Sequence, residues 1–224
     1  MYKVRCKLFK FEGDPQNFPC HFNYEIGDEI YYDGVNFTGK VCPHLIIPMM
    51  PIVHGIHCLG NNYAKNMAFR YRGHDARDQS LAKYDGVGWR PIKSEPAPAA
   101  ASSSPFPSDS KLKKARGAHF MCSDTRTLAH FSCEPVDLSD SEFCQPFYRR
   151  AISLLEKIEA EPGIDLDTIL NRFTAFQKEN ISPPLTPVLS QVLLEALEDM
   201  DYITIQDNTA RATGRQPPSR PSIG

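Results

Sequence analysis

The chain contains no apolar run of the ~18–20 residues that a membrane-spanning helix requires. The nearest approach is Leu45–Ile56, which Pro48, Pro51 and His54 interrupt, so it reads as a buried segment. The sequence also lacks G-x-G-x-x-G, G-x(4)-G-K-[ST], G-x-S-x-G and H-E-x-x-H. The dinucleotide, phosphate-loop, nucleophile-elbow and zinc-helix signatures are thereby excluded. No sign of charge dominates: 25 Lys and Arg stand against 27 Asp and Glu, a net charge of −2. That balance predicts neither a nucleic-acid coat nor an acidic tail. No export signal is expected either, because Met1-Tyr2-Lys3-Val4-Arg5-Cys6 already reads as a strand. A cytoplasmic protein with reduced thiols is therefore expected.

A length of 224 residues holds one substantial domain or two small ones, and 41% hydrophobic residues predict a folded core. Seven cysteines are many for such a chain: Cys6, Cys20, Cys42, Cys58, Cys122, Cys133 and Cys144. The odd number argues against a disulfide framework. Near the N-terminus, Lys3, Arg5 and Lys7 alternate with Val4, Cys6 and Leu8, the period of a strand with one wet face, and Cys6 points inward. Glu29–Tyr32 reads as a second strand closed at Asp33-Gly34. From Pro43 a helix is expected, interrupted or kinked at Pro48 and Pro51. The aromatic residues Tyr63, Phe69, Tyr71, Tyr84 and Trp89 show no clean period. Residues 93–116 are rich in Pro, Ala and Ser and carry a basic run, the composition of a flexible insert with a solvated rim. Residues 118–122 and 127–133 then read as a hairpin returning to the first strand.

A second module begins beyond residue 138. The pattern predicts a helix over 147–160, with Ile152, Leu155 and Ile158 on one face. A second follows from Asp165 or Asp167 to Phe176, and a third is capped by Thr186 with Pro187 in its first turn. A hairpin turning at Asp207-Asn208 completes a winged-helix-like order. The fold class expected is α+β. A small mixed-sheet domain with one main helix and a long internal loop fills 1–138, the acidic winged-helix-like domain fills 145–212, and residues 213–224 fray.

Chemistry-bearing side chains concentrate in the first module. Cys42-Pro43-His44 offers a thiolate beside an imidazole, and His54-x2-His57-Cys58 offers more within about one helical turn. Cys20-His21 and Cys122 can approach from loops. Thiolates and imidazoles together suit zinc or iron. Paired C-x2-C knuckles are missing, so three readings stay open: metal ligands, inert buried cysteines, or a reactive thiol.

These residues carry a resemblance. Cys20, Gly27-Asp28-Glu29-Ile30, Gly39-Lys40-Val41-Cys42-Pro43, Gly55, Leu59-Gly60 and Met121-Cys122-Ser123-Asp124 resemble a family of small uncharacterised proteins common in anaerobic bacteria and archaea. The likeness covers residues 2–60 and 117–136, with Ile30 where the family usually has Phe. The longer 61–116 region and the helical module are additional. The resemblance implies one fold for those two segments, with Cys20, Cys42 and Cys122 converging; His44 and His57 lie outside the family pattern, and either is the first choice for a fourth ligand. The resemblance implies no reaction.

The function expected is a zinc- or iron-binding accessory protein or subunit, its second module contacting a protein partner or another copy of the chain. The alternatives are an enzyme using an open metal position or a reactive cysteine on a small molecule, and a DNA-binding regulator. Charge disfavours the last: residues 145–212 carry eleven acidic and six basic groups. The third helix holds Glu195, Glu198 and Asp199 and no Lys or Arg, where phosphate contacts need positive charge.

Overall fold

A computed structural model of the chain describes residues 1–61, 63, 118–124 and 127–217. The expected insert at 93–116, with Phe69, Tyr71, Tyr84 and Trp89, lies outside the described residues. The chain is α+β and divides into two compact units, one of residues 2–32 and 36–135, the other of Met1, 33–35 and 136–224.

The first unit is a five-stranded sheet in the order β3-β2-β1-β5-β4, with one long helix. Its strands are β1 (Tyr2–Phe11), β2 (Glu29–Tyr32), β3 (Phe37–Thr38), β4 (Ala118–Met121) and β5 (Ala129–Leu138). Where the sequence predicts a mixed sheet, the sheet is antiparallel. β1 pairs with β2 through Val4↔Tyr32 and Cys6↔Ile30, and β4 with β5 through Ala118↔Cys133 and Phe120↔Phe131. Antiparallel neighbours need only short turns, so each strand here can lie beside its hairpin partner. Alternation in β1 decides which side faces in: Val4, Cys6 and Leu8 are buried, and Lys3, Arg5 and Lys7 are not.

Helix α1 (Pro43–Leu59) covers the inward face with Leu45, Met49, Val53 and Ile56, spaced three or four residues apart. It continues through Pro48 and Pro51, where an interruption or kink is expected. Each proline removes one main-chain donor. The carbonyl deprived by Pro48 is that of His44, and Ser123 Oγ donates to it at 3.3 Å. The one deprived by Pro51 belongs to Ile47, a strongly exposed residue that water can serve. Gly60 ends the helix at φ +55°, and a Cβ there would fall 2.4 Å from the Tyr2 ring.

The second unit holds α2 (Gln145–Ala160), β6 (Ile164–Asp165), a 3-10 turn (Ile169–Arg172), α3 (Ala175–Glu179), α4 (Pro187–Asp199), β7 (Ile203–Gln206) and β8 (Thr209–Ala212). Its sheet runs β6-β8-β7, antiparallel throughout. Ile152, Leu155 and Ile158 are buried along α2 as their spacing requires. The helix expected from Asp165 to Phe176 is replaced by β6, the 3-10 turn and a separate short helix. Thr174 is the reason: its hydroxyl accepts from Gln177 N–H at 3.1 Å while Gln177 Oε1 accepts from Thr174 N–H at 2.9 Å. This reciprocal cap starts α3 at Ala175. Arg150, 3% exposed, donates to the carbonyls of Gln177 (2.6 Å), Pro183 (2.8 Å) and Ile181, fastening the link between α3 and α4.

Residues 213–217, the start of the segment expected to fray, are tied down. Thr213 N–H donates to Tyr202 O at 2.9 Å, and Arg215 Nη1 donates to Met200 O at 2.6 Å. The Arg215 guanidinium also lies 4.8 Å from the centre of the Tyr202 ring.

Candidate functional site

Tyr24 organises the place where the chemistry-bearing residues meet. It sits in the loop between β1 and β2, 6% exposed. Its hydroxyl donates to Lys40 O at 2.5 Å and accepts from Cys42 N–H at 3.1 Å. One phenol thus ties the loop carrying Cys20 to the start of α1, where Cys42 occupies the N-cap position. Burial pushes the Tyr24 hydroxyl up to about 12; the Cys42 N–H acts the other way, and charge on Cys42, Cys20 and Cys122 adds to the rise.

Cys122 arrives from the β4–β5 turn. Its N–H donates to Ala129 O at 2.8 Å, and Asp124 N–H points at its Sγ at 3.5 Å. The bond from Ser123 to His44 O holds this turn against the first turn of α1. Burial raises the Cys122 thiol above its ordinary value. The Asp124 N–H opposes the rise, and charge on Cys42, Asp124 and Cys20 reinforces it. Cys20, Cys42 and Cys122 therefore come from three stretches of sequence into electrostatic range of one hydroxyl, and Cys20 and Cys42 into range of Cys122.

The two histidines fall differently. His44 is exposed in the first turn of α1, its main chain beside Ser123. His57 is in the last turn, 3% exposed, with Nδ1 2.7 Å from Tyr2 O and its ring 5.3 Å from that of Tyr32. Fifteen residues of helix separate it from Cys42, about 22 Å at ~1.5 Å per residue. The fold does not bring His57 to the three cysteines. The His54-x2-His57-Cys58 group also divides: Cys58 Sγ lies 3.7 Å from exposed His54 Nε2, while His57 turns inward.

Among the described residues, no three His, Cys, Asp or Glu side chains are already set to hold one metal ion. The donor chemistry around Tyr24, three thiols, is nevertheless of the kind that zinc and iron accept. An aromatic pocket from Tyr63, Tyr71 and Trp89 is not assembled by what is described: Tyr63 is buried against Gly55, and the other two lie outside the described residues. The second unit has a cavity of about 220 Å³ beside Gln145, Arg149, Arg150 and Ser182, lined by no cysteine or histidine. No helix among the described residues is long and apolar enough to cross a membrane.

Sequence reasoning missed Tyr24. Its only signal was a tyrosine four residues beyond Cys20 in an otherwise polar, turn-rich loop, and nothing in that pattern shows a hydroxyl bound on both sides. Comparison with known proteins adds no second line: no family model matches the chain, and neither a curated protein nor a solved structure matches it significantly.

Proposed function

We propose that the first unit is a metal-binding module for zinc or iron, with Cys20, Cys42 and Cys122 as thiolate ligands and His44 as an imidazole ligand. One observation carries this reading: three thiols from remote segments share the surroundings of Tyr24, where burial first and then charge on Cys42 and Cys20 raise the Cys122 thiol. A bound cation reverses that rise at Cys122 by holding thiolates outright. The side chains would close around the ion on binding. His57 is not assigned to the centre. The likeness to the family of small cysteine-bearing proteins supports the same three positions.

The second unit is read as a winged-helix-like contact module. Its three helices and its sheet order β6-β8-β7 support that arrangement. Exposed Phe143, Phe176 and Val188 favour a protein surface as its counterpart, either a partner or a second copy of this chain. The whole would then act as a metal-bearing accessory protein or subunit.

Elemental analysis of protein purified without oxygen tests the first proposal. Stoichiometric Zn or Fe is expected in the wild type and is expected to be lost in Cys42→Ser. Wild-type protein without metal, refolded with either ion and still binding none, would sink the reading.

A further inference from the structure

Two other cysteines meet inside the sheet. Cys6 lies on β1 and Cys133 on β5, which are neighbours at its centre. They are 1% and 0% exposed, and their Sγ atoms are 3.0 Å apart. Even smaller carbon atoms rest in contact at ~3.5–4.0 Å, and a covalent S–S bond is only about 1 Å shorter than this separation. The register on either side is held independently. Arg5 pairs with the Glu134 carboxylate, and Ser132 Oγ donates to Lys7 O at 3.4 Å. The sheet itself sets these thiols opposite each other.

We propose that Cys6 and Cys133 are a cross-strand disulfide pair, closed by exchange with a low-molecular-weight disulfide. One protein thiolate attacks the small disulfide, giving a mixed disulfide and releasing one small thiol. The second protein thiolate attacks the protein sulfur of that mixed disulfide and expels the other small thiol. One S–S bond is made in the protein, the small disulfide is reduced to two thiols, and the two protons lost by the cysteines end on them.

Burial, with the neighbouring Cys6 thiol, holds the Cys133 thiol far above its ordinary range. Both thiols are buried in the folded sheet, out of reach of a small disulfide. The bond closes while β1 and β5 are apart, during folding, and the packed sheet then shields it from reductant. It joins residues 127 positions apart, bridging strands from the two ends of the first unit. The pair is independent of the Tyr24 cluster, so metal content and disulfide formation can fail separately.

The test is refolding of the full chain from denaturant with oxidised and reduced glutathione, against refolding in dithiothreitol. Each product is then denatured and alkylated. The glutathione product is expected to be lighter by two hydrogens before alkylation, with two fewer of its seven thiols alkylated and one peptide joining Cys6 to Cys133. Its Tm is expected to rise by on the order of 10 °C. In native buffer dithiothreitol should leave the cross-link intact, and in denaturant remove it. Cys6→Ser should abolish it while Cys20→Ser keeps it; if C6S does not fold, the wild-type peptide map decides alone. Seven alkylated thiols after oxidative refolding, a glutathione adduct that never closes, or a bridge between other cysteines would overturn the proposal.

Discussion

Removing the Tyr24 hydroxyl, as in Tyr24→Phe, strands two main-chain groups at once: the Lys40 carbonyl and the buried Cys42 N–H. A buried group left without its partner costs about 1–3 kcal/mol. Y24F is therefore expected to lower the stability of the first unit by about that much in urea unfolding, and to weaken metal uptake because Cys42 loses its anchor. An unchanged midpoint would show that the phenol is a bystander. Cys122 gives a pH prediction at the same scale. A thiol whose folded pKa is raised favours the folded state while protonated. Its contribution is fully present below the unfolded value, ~8.5, and is lost as pH climbs through the higher folded value. The metal-free wild type should lose Tm above about pH 8.5 more steeply than Cys122→Ser. Parallel curves would count against the shift. The resemblance, not the spacing of the cysteines, is what singles out Cys20, Cys42 and Cys122 in the sequence. Neither could show that His57 bonds to Tyr2 O, because a histidine near other ligands looks the same whether it faces them or the core.

Proline chemistry in α1 shapes the site at the level of the element. Pro48 cannot donate to the His44 carbonyl, and that vacancy is what Ser123 fills. Pro48→Ala restores the helical N–H as a competitor for the same oxygen. The helix should become more stable, while the 122–124 turn loosens and Cys122 alkylates several-fold faster in the metal-free protein, read by mass spectrometry. Equal alkylation rates in wild type and P48A would disprove the tether. In the second unit, Arg150→Ala removes three charge-assisted bonds to the carbonyls of Gln177, Pro183 and Ile181. A loss of about 3 kcal/mol is expected from calorimetric unfolding of the full chain; a loss below ~0.5 kcal/mol, the size of an ordinary surface substitution, would show the clamp is incidental. Strong local signals made several elements readable in advance: alternation in β1, the Thr186-Pro187 start of α4, and Asp207-Asn208 with φ of 47° and 61° at the last hairpin. The segment 164–176 was misread because Leu166, Ile169, Leu170 and Phe173 fit a helical stripe. The Thr174-x-x-Gln177 cap outweighed that period, and β6 took its hydrogen bonds from β8.

For the molecule as a whole, topology and charge point in opposite directions, and magnitude decides between them. A helical unit with a three-stranded sheet could present α4 to a DNA groove as a recognition helix does. Binding of that kind depends on Lys and Arg neutralising phosphates, and its affinity falls steeply with salt. α4 carries Glu195, Glu198 and Asp199 without a single Lys or Arg, and residues 145–212 have an excess of five negative charges. At ~4 Å in water, each like-charge approach to a phosphate costs about 1 kcal/mol, and less screening makes it worse. Lowering the salt, which strengthens a basic DNA-binding protein, should therefore repel this one. In fluorescence anisotropy with a random-sequence duplex at ~10 mM salt, where the screening length is about 30 Å, no binding is expected at micromolar protein. Exposed Phe143, Phe176 and Val188 predict the opposite response for a protein–protein contact, because apolar burial strengthens with excluded salts such as sulfate. Sedimentation of the full chain in rising sulfate separates the two cases. Self-association that grows with salt supports the contact reading, and duplex binding that grows as salt is withdrawn would overturn it.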